Sequence, residues 1–377
     1  MIRIPFNRPF ATGNELDYIR AAIAAPKFSG DGNFTVRCHA LLEQSLGIQK
    51  ALLTTSCTHA LEMAALLLGI EPGDEVIVPS FTFPSAANAF VLRGAKPLFV
   101  DIRADTLNID ESQIEQRITA RTKAVFVVHY GGVGCEMDAI TTVARQHGIA
   151  VVEDNAHGLY GRYRGQYLGT FGQLGTLSFH ETKNFTCGEG GALLINDARF
   201  NERAEILREK GTNRSKFFRG EIDKYTWVDV GSSYLPADLL AAFLSAQLEH
   251  RDQIHSMRRQ IWEIYARELA SWAEVNGVRL PIVPAECEQS YHMFYVIMPS
   301  FESRQALISH LAAFGILAVF HYLPLHLSPM GLRFGGRHGD CPVTEDLADR
   351  LLRLPFFTGM SNSDQSQVIE AMRRFRC

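Results

Sequence analysis

Between residues 50 and 200 the chain repeats one pattern, a short Val-, Ile- and Leu-rich run followed in most cases by a helix-like stretch. KALLTT (50–55), DEVIVP (74–79), KPLFVD (96–101), KAVFVV (123–128), IAVVE (149–153), GTLSFH (175–180) and GALLI (191–195) read as strands. A strand with one wet face alternates apolar and polar residues. These runs largely do not alternate, so both of their faces must be covered, as in a parallel sheet between helical layers. THALEMAALLLG (58–69), ANAFVLRGA (87–95) and MDAITTVARQHG (137–148) supply helices, the last stopping at Gly148 as a crossover should. The predicted class is α/β, with a large, mostly parallel sheet flanked by helices.

The pattern changes after residue 200. NERAEILREKG (201–211) reads as helix, and 212–233 as a polar loop dotted with aromatics. So long a loop in a compact unit more often serves function than not. Residues 235–273 are strongly helical, and from about 275 short strands (YHMFYVIM, ILAVFHY) mix with helices. At roughly 150 residues per domain the length suits two units. They are expected to be a large α/β domain over 1–250 and a small α+β domain over 251–377.

Composition narrows the function class. A net charge of -4 offers no general basic face for nucleic acid. The cysteines (38, 57, 135, 187, 287, 341 and 377) are odd in number and contain no CxxC pair. That argues against a disulfide scaffold or a zinc site and for a reducing cytoplasm. MIRIPFNRPF lacks an apolar leader core, and no run of about 18 apolar residues offers a membrane span.

Three features carry chemistry. In SFHETKNFTCGEGG (178–191), Lys183 follows a strand end and precedes a Gly-rich turn. A nucleophilic lysine needs a lowered pKa, which burial and nearby cations provide; taken alone, the residue reads first as a solvated surface lysine, and its context changes that. In VVEDNAH (151–157), Asp154 ends a buried strand, where open α/β sheets bind ligands. It suits a pyridinium partner or a capping carboxylate, and His157 a ring contact or a packing residue. In TTSCTHAL (54–61), strand, polar turn and helix start make a phosphate cradle of Ser56, Cys57 and Thr58, or a simple N-cap. Cradle, then Asp, then Lys is the order of a pyridoxal phosphate site.

PGDEVIVPSFTFPSAANAF, KPLFVDI, TLNID, VFVVHYGG, VVEDNAH, SFHETKN, GEGG and HYLPLH together resemble the DegT/DnrJ/EryC1/StrS nucleotide-sugar aminotransferases, of fold type I, the aspartate-aminotransferase-like fold. The resemblance implies that Lys183 bonds pyridoxal 5′-phosphate covalently and shuttles the proton. It implies that Asp154 pairs with the ring nitrogen, that His157 lies by the phenolic oxygen and that Phe83 stacks on the ring. Ser178 and the 56–58 turn would hold the phosphate. Ser233 stands where many relatives carry an asparagine that crosses a homodimer interface to the phosphate, and its shorter side chain has less reach. Arg214, Lys216 and Arg219, on the loop expected from the partner subunit, would meet substrate carboxylate or diphosphate, or serve only as a solvated basic loop. His326 would touch the sugar or be a structural histidine. Segments 209–235 and 318–326 resemble members that aminate C4 of a dTDP-4-oxo-6-deoxyhexose to the galacto product, with L-glutamate as donor, in common-antigen or O-antigen synthesis. Amination at C3 or with gluco configuration, and a cofactor-binding regulator, are the alternatives. In the related dehydratases a histidine replaces the lysine, so Lys183 favours transamination.

Overall fold

The computed structural model describes residues 2–377. Strands β1 (Lys50–Thr54), β2 (Glu75–Pro79), β3 (Lys96–Val100), β4 (Thr122–Val128) and β5 (Ala150–Asp154) come first. A small hairpin, β6 (Arg162–Tyr163) and β7 (Gln166–Tyr167), precedes β8 (Leu174–Ser178) and β9 (Gly191–Ile195). One 7-stranded sheet runs in the order β1-β9-β8-β5-β4-β2-β3. β9 pairs antiparallel with β1 and β8, and the other pairings are parallel. A parallel neighbour needs a long crossover, usually helical. Residues 179–190 contain no helix, so the chain turns back after β8. Lys183 sits on that return.

The non-alternating strands are covered on both faces. Every residue of β2 and β9 is buried. Leu52, Val76, Val78, Phe126, Val152 and Leu193 pack toward the helices Cys57–Leu67 and Pro84–Val91. Leu53, Leu177, Ala192 and Leu194 face the helices Asn33–Leu46 and Asp238–Glu249 on the other side.

Several elements differ from expectation. The helix expected at 87–95 spans Pro84–Val91 and opens with Pro84, whose fixed φ suits a first turn. The 212–233 loop holds a short helix, Arg214–Phe218. The helical stretch 235–273 is two helices, Asp238–Glu249 and Arg251–Val275, with a bend at His250 (φ -98, ψ 23). ILAVFHY is not a strand; it contributes only the isolated bridges Ile4↔Ile316 and Val319↔Arg353.

β10 (Cys287–Glu288) extends the small hairpin, while β11 (Tyr295–Ile297) and β12 (Leu351–Arg353) form an antiparallel pair. Around that pair Tyr265, Leu269, Phe294, Val296, Leu307 and Val368 make a separate core, which Ile4 of the N-terminus joins. We propose that the two units divide at the His250 bend. A further cluster, with Phe81, Tyr130, Met293, Tyr295 and Leu351, packs the carboxyl edge of the large sheet against β11 and β12. That contact leaves a cavity between them. Among the described residues no helix is long and apolar enough to cross a membrane.

Candidate active site

The cavity has a volume of about 760 Å³ and opens at the carboxyl edge of the sheet. Strand register builds its floor: Gly191 lies beside both Thr54 and Ser178, and Asp154 beside Thr176. Ser56, Cys57, Thr58, Phe83, Asp154, His157, Ser178 and Lys183 all line this one space. Eight positions spread over 128 residues of sequence converge because their strands end at one edge.

The turn after β1 works as cap and cradle together. Ser56 Oγ accepts the His59 N–H at 3.1 Å, capping the helix Cys57–Leu67. The first helical amides have no partner within the helix and face an anion well. Thr58 Oγ1 is bonded to Ser85 Oγ at 2.8 Å, which adds a hydroxyl pair to the lining. Gly191 is required here: a Cβ on it would stand 2.4 Å from the Cys57 nitrogen.

Asp154 is 5% exposed. Its Oδ1 accepts the Ala156 N–H at 3.1 Å, and among the described residues no cation forms an ion pair with it. Burial raises its carboxyl above the ordinary 3.8, with the Ala156 N–H, Lys183 and His129 pulling the other way. Such a carboxylate fits a ligand that brings its own N–H⁺. Burial likewise lowers the Lys183 amine below its ordinary 10.5; Asp154 and Cys57 oppose that shift and Arg353 adds to it. A buried carboxylate lacking a cation, a cradle of hydroxyls and amides, and a lysine of lowered basicity together fit pyridoxal phosphate.

His157 is stacked on His292, ring centres 4.2 Å apart and planes at 15°. The Gly131 N–H points at its Nδ1 (3.4 Å), and its Nε2 lies 3.3 Å from the Tyr322 hydroxyl. Burial pushes it well below 6.5, with Lys183 and Arg353 adding to the shift. His292 is tied to Asn184 Oδ1 at 2.9 Å, and His321 to the Tyr130 hydroxyl at 2.7 Å.

Other expected residues lie elsewhere. His326 does not face the cavity: it is 0% exposed, with Nδ1 bonded to Ser80 Oγ (2.6 Å) and Nε2 to Glu345 (3.0 Å). The motif HYLPLH does reach the cavity, but through His321 and Tyr322. A turn around Pro324 separates the two ends of the motif. Arg214, Lys216 and Arg219 are also outside this cavity. They pair with carboxylates of their own subunit, Arg214 with Glu209 (3.3 Å), Lys216 with Glu202 (2.6 Å) and Arg219 with Glu205 (2.8 Å). Ser233 lies with Arg214, Lys27 and Lys210 in a separate depression. Four residues that line the cavity, His292, His321, Tyr322 and Arg353, escape the sequence reading. They come from the C-terminal part, whose short strands carry little periodic signal.

The DegT/DnrJ/EryC1/StrS aminotransferase family model matches residues 10–373. The chain belongs to that family. A GDP-perosamine synthase of Escherichia coli O157:H7 is 33% identical over 373 residues, covering 99% of this chain and 98% of that one. The aminotransferase TlmJ of Streptoalloteichus hindustanus superposes with a TM-score of 0.89 at 32% identity, covering 99% and 98% of the two chains. A putative sugar aminotransferase, Spr1654 of Streptococcus pneumoniae, is 26% identical over 98% of this chain and 97% of its own in its PLP form, with a TM-score of 0.90. Its PMP form gives 0.92. The protein is therefore a sugar aminotransferase of the pyridoxal-phosphate type I fold. The family assignment bears out the sequence resemblance over nearly the whole chain. It leaves the particular sugar open, since the relatives include GDP-perosamine synthases.

Proposed function

We propose that this protein transfers the amino group of L-glutamate to C4 of a nucleotide-linked 4-oxo-6-deoxyhexose, releasing 2-oxoglutarate. The observation that carries the reading is the meeting of Lys183, Asp154 and the 56–58 turn in one cavity. We assign Asp154 to the cofactor's ring nitrogen, and the helix start, Ser56, Thr58 and Ser178 to its phosphate. Phe83 would cover the ring, and His157 would lie by the phenolic oxygen. When bound, the cofactor supplies an electron sink that stabilises negative charge on the carbon losing its proton. Lys183 Nζ does the proton work: it takes the proton from the amino-bearing carbon of glutamate and later delivers one to C4 of the sugar. The face of C4 turned toward Nζ then sets the configuration of the new amine.

For the sugar we propose dTDP-4-oxo-6-deoxy-D-glucose, giving dTDP-4-amino-4,6-dideoxy-D-galactose. The likeness of segments 209–235 and 318–326 supports it. A GDP-linked acceptor is the second reading, favoured by the GDP-perosamine synthases among the relatives. The proposal also has the protein act as a homodimer. Lys183 and Arg353 are the only lysine and arginine lining the cavity among the described residues. Basic groups for a diphosphate must then come from outside, and the 212–233 segment of a second copy carries Arg214, Lys216 and Arg219, which would exchange their own carboxylate partners for it. Phe218, Tyr225, Trp227, Val228 and Val230 on it are exposed apolar residues suited to an interface.

The purified protein should be yellow, and L-glutamate should bleach it. A colourless protein that cofactor cannot reconstitute overturns the reading. Product NMR after incubation with glutamate and either dTDP-4-oxo-6-deoxyglucose or its GDP-linked counterpart decides the nucleotide, the position and the configuration.

A further inference from the structure

Asn184 follows Lys183 directly and is buried. Its Nδ2 donates to the Ser290 carbonyl at 2.7 Å. A carbonyl only accepts, so this bond fixes which end of the amide faces which way. Oδ1 is left for the His292 ring, 2.9 Å from Nδ1. Oδ1 also only accepts, so His292 Nδ1 carries a proton, and in the uncharged ring the lone pair sits on Nε2. One bond thus ties the Lys183 turn to a residue 108 positions further along.

The same His292 ring backs His157, on which it is stacked. The chain around His292 is fixed by other means. The Ser290 N–H donates to the Gly132 carbonyl at 3.1 Å, and the Ser290 hydroxyl to the His157 carbonyl. Buried Arg258, on the helix Arg251–Val275, donates to the Tyr291 carbonyl at 2.8 Å and to the His292 carbonyl at 2.5 Å. Tyr291 has φ 54, a left-handed backbone state that a side chain disfavours. Such a state persists only where its surroundings over-determine it, and it points to function. Here the clamp holds 290–292 where His292 meets both Asn184 and His157.

We propose that His292 is a positioning residue of the aminotransferase site. Its N–H sets the turn that carries Lys183, and its ring face sets the plane of His157. The group assigned to proton transfer and the group assigned to the phenolic oxygen then move as one body. This role rests on the aminotransferase reading above and adds to it how those two groups are held together.

The test separates the two contacts. H292F keeps a ring for the stack and loses the N–H. H292N keeps an N–H near the place of Nδ1 and loses the ring. N184A removes the acceptor. Each variant is followed by stopped-flow capture of pyridoxal phosphate by apoprotein, by the pH midpoint of the bound cofactor's absorbance, and by Tm. Capture should slow about tenfold in H292F and in N184A, the scale of one buried hydrogen bond, and no further in the double variant. H292N should capture close to the wild-type rate but shift the absorbance midpoint, which H292F leaves in place. Wild-type capture in H292F and N184A overturns the proposal, as do losses that multiply in the double variant. A lowered Tm with capture and midpoint both unchanged also overturns it and makes His292 a packing residue. In ¹⁵N-histidine apoprotein the His292 signals, assigned by their loss in the His292 variants, should show the proton on Nδ1 in wild type and a mixture of tautomers in N184A. A proton on Nε2 in wild type overturns the proposal without any cofactor. A wild type that takes up no cofactor sinks the aminotransferase reading instead, and the ¹⁵N spectra then decide for or against the Asn184–His292 lock.

Discussion

Two buried groups of opposite charge govern the site, and burial moves each toward its neutral form. For Lys183 the lowered amine means that the free base is present below the ordinary 10.5. The rate at which apoprotein captures cofactor covalently should rise with pH and level off clearly below that value, as followed by stopped-flow absorbance. A plateau reached only above it contradicts the geometry. For Asp154 the sign is opposite. Its raised carboxyl is neutral below the shifted value, and a neutral acid cannot hold a pyridinium. Cofactor affinity should therefore fall as pH drops through that value. Asp154→Asn should weaken binding by about 10²-fold or more and remove this part of the pH dependence.

Among the elements, the antiparallel β9 matters most. Because the chain reverses after β8, Gly191 slots between Thr54 and Ser178 and backs directly onto the 56–57 peptide. The absence of a side chain there lets the helix Cys57–Leu67 begin at the cavity floor. Gly191→Ala should cost about 1–3 kcal/mol by overpacking, read as a lowered Tm. Cofactor should also bind more weakly, because relief comes by pushing the cradle outward. A variant with wild-type Tm and cofactor affinity would show that the turn yields freely.

The molecule is held around its cavity by contacts between distant parts of the chain. Ser80, just after β2, meets His326, which meets Glu345; His338 also pairs with Glu345. Removing the ring takes a partner from a buried hydroxyl and leaves Glu345 with only His338 and backbone N–H groups. His326→Ala should thus lower stability by about 1–3 kcal/mol in urea unfolding, which a histidine serving only to touch the sugar would not do. The exposed apolar segment tests the assembly. Trp227 is 76% exposed. Trp227→Asp should halve the mass seen by light scattering if this surface joins two copies. Cofactor affinity should drop with it if Ser233 serves the partner's phosphate, the role that its place in the sequence implies by resemblance. A variant that stays dimeric places the interface elsewhere.

Much of this was legible in the residues alone. Non-alternating apolar runs announced a covered sheet, because periodicity is local and survives in any one-dimensional reading. Lys183, Asp154 and the 56–58 turn stood out because each follows a strand end, and parallel strands deliver their ends to one edge. The reversal at β9 is a property of a helix-free connection and was within reach of the same reasoning. His326 and Arg353 were not. One is a histidine in the right motif whose ring turns inward, and the other is an arginine on a three-residue strand. Which way each points depends on how β12 and the 320–326 segment dock against the large sheet. That docking is set by packing between residues hundreds of positions apart, and no local pattern records it.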